Sequence, residues 1–254
     1  MTSLMKTERH IKVEGAFNVR DLGGYETREG RRTQWRRFFR ADCLDKVDGD
    51  VLASRIDGGL KTVVDLRSTR EIEEEPSVYR LSTESPNYLH VDLIGDPSLM
   101  NDPAKWEQPP EPPERYLALY TTWLDDRQEP IRTVLSSFIE SGAQPAMFNC
   151  HAGKDRTGVI AALLLGLAGV PDETIVADYA LSGPNLWPRE MVALKETRGE
   201  GYSMNDFSAE VSSARSMELT LAYLNKHYGD IPTYLTKIGL SSDELDRLRK
   251  ALLD

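Results

Sequence analysis

Cys150 and Arg156 are separated by five residues in the segment Cys150-His151-Ala152-Gly153-Lys154-Asp155-Arg156-Thr157-Gly158. A cysteine thiolate is a strong nucleophile, and an arginine presents a planar fork of donors that fits a phosphate. The apolar strand Ala146–Phe148 runs into the segment, and the apolar helix VIAALLLGLAG leaves it. Unpaired N–H groups at the start of that helix carry partial positive charge and suit a phosphate dianion. The same field favours thiolate over thiol at Cys150. The loop can then curl round one phosphate, with the backbone of His151, Ala152, Gly153, Lys154, Asp155 and Arg156 as donors. Gly153 and Gly158 permit the tight turn that aims those amides inward.

This arrangement predicts attack of Cys150 on phosphorus, with the loop amides and Arg156 holding the equatorial oxygens. Thr157 is placed to hydrogen-bond the sulfur when it leaves. An acid must protonate the departing oxygen, and the same group can then activate water. No cofactor is implied. No metal site is evident either: His10, His90, His151 and His227 form no pair at helical ligand spacing, and no second cysteine is near Cys150 in sequence.

The elements that position the loop read as alternating strands and helices. Val63, Val64 and Leu66 mark a short buried strand, and Asn87–Leu93 another. Val47–Gly58 reads as a short helix, and Tyr25–Thr27 as a short strand between glycine turns. Arg31–Arg40 interleaves arginines with Trp35, Phe38 and Phe39, and is read as a strand with inward aromatics rather than a nucleic-acid surface. Ile94–Glu114, rich in proline, reads as a loop. Tyr116–Ile139 regains helical periodicity with a break near Pro130. Leu186–Ser213 is polar and mixed, and reads as a helical insertion. Met217–Asp254 predicts two or three amphipathic helices. The expected fold is a single α/β domain over residues 1–254, with a central, mostly parallel sheet of about five strands flanked by helices.

Bulk properties narrow the partners. The chain has 254 residues, 31 basic against 41 acidic, for a net charge of −10. Such a chain repels nucleic acid and anionic membrane at long range, so no nucleic-acid partner is expected. The longest apolar run, Val159–Val170, is too short to span a bilayer, so no stable membrane insertion is expected. Two cysteines, Cys43 and Cys150, form no disulfide framework. With no secretory-signal pattern at the start, the expected location is cytoplasmic, with signal-independent export also compatible. Cys43 reads as a small core residue, with a protective disulfide to Cys150 as an alternative.

At these residues the chain resembles the protein tyrosine and dual-specificity phosphatase superfamily. The AGKDRTG loop is similar to a bacterial branch of tyrosine/lipid phosphatases of mycobacterial and listerial type. FNVRDLGGY (Phe17–Tyr25), VVDLRS (Val63–Ser68), ADYALS (Ala177–Ser182) and the ending YGDIPTYLTKIGLSSDELDRLR extend the resemblance over nearly the whole chain. The resemblance implies hydrolysis of phosphate monoesters through a cysteinyl-phosphate. It implies a phosphorylated protein or phosphoinositide as substrate: phosphotyrosine first, then phosphoserine, phosphothreonine and inositol lipids. It also makes Asp155 the first choice for the acid. Asp92, at the end of a strand, is the reserve, and Asp96 a third option. Lys154 is associated with phosphoinositide substrates, against a reading as a solvated loop lysine. Asp65 and Arg67 are expected to be structural, as are Arg20 and Asp21, which could brace the loop. His151 is read as a rim residue. The segment 186–213 is expected to form a lid. The family carries histidine before the cysteine, and this chain has Asn149, which brings no positive charge. That departure favours a competing reading, a weak or inactive phosphatase-like module that binds phosphorylated proteins or lipids; a sulfur-transfer or arsenate-reducing enzyme is a third reading, placed lower because such loops do not resemble AGKDRTG followed by this helix.

Overall fold

A computed structural model describes residues 8–56, 59–80, 86–95 and 112–253. Its centre is the pair β3 (Thr62–Asp65) and β5 (Ala146–Asn149), four-residue runs in which every position is buried. Strands buried on both faces read as continuous apolar runs, as TVV and AMF do here. With β1 (Arg20–Asp21), β2 (Phe38–Ala41) and β4 (Asn87–His90) they form a five-stranded sheet in the order β1-β2-β5-β3-β4. All pairs are parallel except β1 with β2. The expected fold is therefore the observed one. Two local expectations are corrected. Tyr25–Thr27 makes only the isolated bridge Glu26–Arg32, and within Arg31–Arg40 only the last three residues enter a strand.

Alternation along the strands splits the core in two. Phe38, Val64 and Phe148 point into a large cluster with the helices of one face. Phe39, Ala41, Val63 and Met147 point the other way, onto Val19, Leu52, Ile56 and Leu60. Leu52 belongs to α1 (Gly49–Ser54), capped by Asp48. The short α2 (Thr69–Glu74) starts at the capping box of Ser68 and Glu71.

The larger face carries α3 (Pro112–Asp126), α4 (Gln128–Ser137), α5 (Asp155–Leu167), α6 (Asp172–Ala180), α9 (Ala214–Tyr228), α10 (Ile231–Lys237) and α11 (Ser242–Leu252). α5 is buried nearly all round, which marks it as the central helix of this layer. Pro112 and Pro113 open α3 instead of belonging to a loop, because a proline at the first helical positions loses no intrahelical bond. For the same reason the break falls at Arg127, and Pro130 lies in the first turn of α4. The rest of the proline-rich stretch, with Asp96, lies outside the described residues. Residues 186–213 fall in a hairpin of α7 (Ser182–Arg198) and α8 (Met204–Val211), so the helix begins four residues earlier than expected. Trp187 packs against Tyr202 and Phe207 to close it.

Candidate active site

The parallel register aligns Ala41 and Asp65 with Asn149. Asp42, Leu66 and Cys150 therefore leave the carboxyl ends of three adjacent strands side by side, where open α/β sheets place their ligands. Cys150 is 1 % exposed at the floor. The loop after it is held from behind. Asn18 Nδ2 donates to the carbonyls of Ala152 (2.9 Å) and Gly153 (3.2 Å). Arg40 Nη2 donates to Gly153 O at 2.7 Å, and the Cys43 amide to His151 O at 3.0 Å. Because a peptide C=O and the N–H of the same unit point in opposite directions, these ties turn the amides of Ala152, Gly153 and Lys154 toward the interior of the loop. Gly153 has φ of +63°, and a Cβ there would lie 2.4 Å from Ala41 O, so no other residue fits. No side chain caps the first turn of α5, whose N–H groups complete the ring of donors.

The braces are themselves locked by a buried charge cluster. Asp178 accepts from Arg20 Nε (3.0 Å), Arg40 Nη1 (2.6 Å) and the Tyr25 hydroxyl (2.7 Å). Burial works against its charge, yet the two guanidinium groups hold its carboxyl far below the usual range. Burial and the neighbouring Arg20 bring Arg40 down to about 10. Arg20 also reaches Asn18 Oδ1, and Asn185 Nδ2 reaches the same oxygen. Arg20, expected as a possible brace, thus acts through Asn18. Asn18, Arg40 and Asp178 were not singled out in the sequence, although two of them lie in the quoted motifs.

Arg156 is 8 % exposed and forked onto Glu71 of α2: Nη1 to Oε2 at 2.6 Å, Nη2 to Oε1 at 2.9 Å. Nη1 also faces Leu66 O at 3.4 Å. This end-on fork leaves Nε–H and the outer Nη2–H, the side-on pair that suits two phosphate oxygens. Burial opposes the charge of Glu71, but Arg156 and the donors of Ser68 outweigh it and hold the carboxyl at about 2. Glu71, which holds Arg156, is a residue that sequence reasoning missed. Its signal was the Ser68-x-x-Glu71 capping box.

Asp155 and Lys154 turn toward α3. The Tyr120 hydroxyl donates to Asp155 Oδ1 at 2.5 Å, and Lys154 Nζ lies 3.3 Å from the same oxygen. Lys154 is only 6 % exposed, and its ammonium lies 4.1 Å from the Tyr116 ring centroid, so it is not a solvated loop lysine. Asp92 differs in kind: its carboxylate accepts from the backbone amides of Thr69, Ile94 and Gly95. Asp65 and Arg67 form a buried bidentate pair that ties strand ends, as expected. His151 is half exposed at the rim, 3.7 Å from Glu75.

Two residues of the segment around the nucleophile have buried polar atoms without partners among the described residues. Thr157 Oγ1 is buried without a hydrogen-bond partner among the described residues. Asn149 is fully buried and neither of its side-chain polar atoms has a partner among the described residues, so it does not replace the bracing a histidine would give. Cys43, Asp45 and Glu75 bring a thiol and two carboxylates within 4.8 Å of one another. Burial, with Asp45, pushes the Cys43 thiol up to about 12, and Arg67 Nη1 lies 2.8 Å from its sulfur, which disfavours a cation there. No helix among the described residues is long and apolar enough to cross a membrane.

A thiol on the floor of an amide-lined loop, with an arginine across it, at the carboxyl edge of this sheet, defines a phosphatase. A sequence model of the tyrosine phosphatase family matches residues 11–254, and the chain belongs to that family. It is 28% identical to the triple specificity protein phosphatase PtpB of Mycobacterium tuberculosis, over 95% of this chain and 98% of that protein. It is 29% identical to a tyrosine-protein phosphatase of Nostoc commune, over 82% and 70% of the two chains.

Proposed function

We propose that the protein hydrolyses phosphate monoesters through a cysteinyl-phosphate on Cys150, with Asp155 as the general acid. The observation that carries this reading is the braced loop: Asn18 and Arg40 hold the carbonyls of the segment after Cys150 from behind, and Glu71 holds Arg156 at its end. The Cys150 thiolate attacks phosphorus while the P–O bond to the leaving group breaks. Protonated Asp155 gives its proton to the departing oxygen. Its carboxylate then takes a proton from water, which attacks phosphorus. Sulfur leaves as thiolate, assisted by Thr157, and inorganic phosphate is released. Asp155 is favoured over Asp92 because its carboxylate adjoins the loop and meets side chains only, whereas that of Asp92 is engaged by backbone amides.

The substrate range we propose is phosphotyrosine, extended to phosphoserine, phosphothreonine and phosphoinositides. The name of the mycobacterial relative supports a broad range. So does Lys154, whose charge is kept beside Asp155 and not spent in solvent. The test is phosphate release from p-nitrophenyl phosphate, a phosphotyrosine peptide and a phosphoinositide panel, with acid-quenched mass spectrometry of Cys150. Turnover and a phosphate adduct are expected for wild type, and neither for Cys150→Ser. An inert wild type that still binds phosphopeptide would establish the binding module instead.

A further inference from the structure

One face of α3 is aimed at the acid. Tyr116 and Tyr120 are four residues apart on that helix, hence neighbours on one side of it. Tyr116 takes the Lys154 ammonium on its ring and Tyr120 takes Asp155. Tyr120 is fully buried, stacked on Trp123 at 5.5 Å and edge-on to Tyr179 of α6 at 6.2 Å. The Tyr120 and Tyr179 hydroxyls are 2.6 Å apart. A hydroxyl has one proton to donate. Tyr120 spends its proton on Asp155, so Tyr179 is the donor to Tyr120, and the chain runs Tyr179 to Tyr120 to Asp155.

We propose that Tyr120, oriented by Tyr179, is a positioning residue that fixes which oxygen of Asp155 carries the catalytic proton. The inference rests on the assignment of Asp155 as the acid. Both donors to Asp155, the Tyr120 hydroxyl and the Lys154 ammonium, engage Oδ1. Oδ2 has no hydrogen-bond partner among the described residues, so the proton resides there and Oδ2 is the oxygen offered to the leaving group. The carboxyl plane is fixed at the same time, since Oδ1 is pinned between α3 and the loop. The groups that face Asp155 are Lys154 and Arg156 from its own segment, Tyr120 from α3 and Tyr179 from α6. Burial raises both tyrosines well above their ordinary range, so they stay protonated donors through the cycle. Tyr120 is fully buried and offers no surface to a substrate. It acts through Asp155.

A group that orients the acid matters most when the leaving oxygen is basic. The test is kcat/KM for a series of aryl phosphates, from p-nitrophenyl to phenyl phosphate, on wild type, Tyr120→Phe, Tyr179→Phe, Asp155→Asn and the double variant Tyr120→Phe/Asp155→Asn. Phenylalanine keeps the ring packing and removes only the hydroxyl. Tyr120→Phe is expected to lose about tenfold on phenyl phosphate and about twofold on p-nitrophenyl phosphate, a steeper dependence on leaving-group basicity. Tyr179→Phe should move the same way by less, and provides a second reading if Tyr120→Phe folds poorly. In the Asp155→Asn background Tyr120→Phe should add nothing. An equal loss on every ester, or additivity in the double variant, would show a packing role only and overturn the proposal. A steeper slope for Asp155→Asn with an unchanged one for Tyr120→Phe overturns it while leaving the acid assignment intact. An unchanged slope for Asp155→Asn removes the acid assignment itself.

Discussion

One carboxylate serves two structures at Glu71. Its Oε2 accepts from the amide and hydroxyl of Ser68, which starts α2, and from Arg156 Nη1, which closes the phosphate loop. Helix capping and arginine positioning are therefore coupled in a single side chain. Glu71→Gln takes from the buried Arg156 cation the carboxylate that is forked onto it, a change that costs on the order of 3 kcal/mol. A urea titration should show that loss, and kcat/KM should fall by about ten- to a hundredfold. The sign with pH follows from the depressed carboxyl. Its folded value is about 2 against 4.5 unperturbed, so its stabilisation is complete above 4.5 and is lost as pH falls toward 2. Wild type should lose more stability than Glu71→Gln between about pH 5 and about pH 3, and equal losses would refute the coupling. Sequence showed Cys150, Arg156 and Thr157 together because they lie within one local segment. Glu71 was not read there: its only local signal was the Ser68-x-x-Glu71 cap pattern, and its other partner is 85 residues away. Tyr120 left no local mark at all, since its hydroxyl acts across two helix packings.

At the scale of elements, β5, the loop and α5 were legible because strand, turn and helix are contiguous and each has its own hydrophobic period. The start of α3 was not, because Pro112 and Pro113 resemble breakers until their place in the first turn is known. The α7–α8 hairpin is where a lid was expected. α7 sets Arg189 and Glu190 on a cavity of about 330 Å³ that is also lined by His151 and Cys43, while Met191, Val192 and Met204 face solvent. Arg189 lies 3.9 Å from Asp42, beside the segment that braces the loop. We predict that replacing residues 186–213 by a short glycine-serine linker speeds alkylation of Cys150 by iodoacetamide by about tenfold, with the fold checked by circular dichroism. An unchanged rate would remove the lid from the account.

At the scale of the molecule, the site is assembled by the buried charges of Arg20, Arg40 and Asp178. The motifs along the chain, FNVRDLGGY, AGKDRTG and ADYALS, were readable piece by piece, but nothing in their spacing says that they meet. The sheet order, which puts β5 beside β2 and β2 beside β1, brings the first two together, and Asp178 of α6 joins them through Arg20 and Arg40. Asp178→Asn strands two buried guanidinium groups, so thermal unfolding should show a loss on the order of 3–5 kcal/mol. Phosphate affinity should fall with it, because Arg40 holds the Gly153 carbonyl. The braces also set an order of events. Asn18 waits for Ala152, which lies 134 residues later, and Arg20 waits for Asp178, which lies 158 residues later. Contacts so distant in sequence close late, after local helices and strands have formed. During synthesis the nucleophile leaves the ribosome before the helix that completes its support, and a chain stopped between them has a cysteine but no cradle. On dilution from denaturant, helical circular dichroism should therefore return before phosphate release does, with the interval set by the docking of α6.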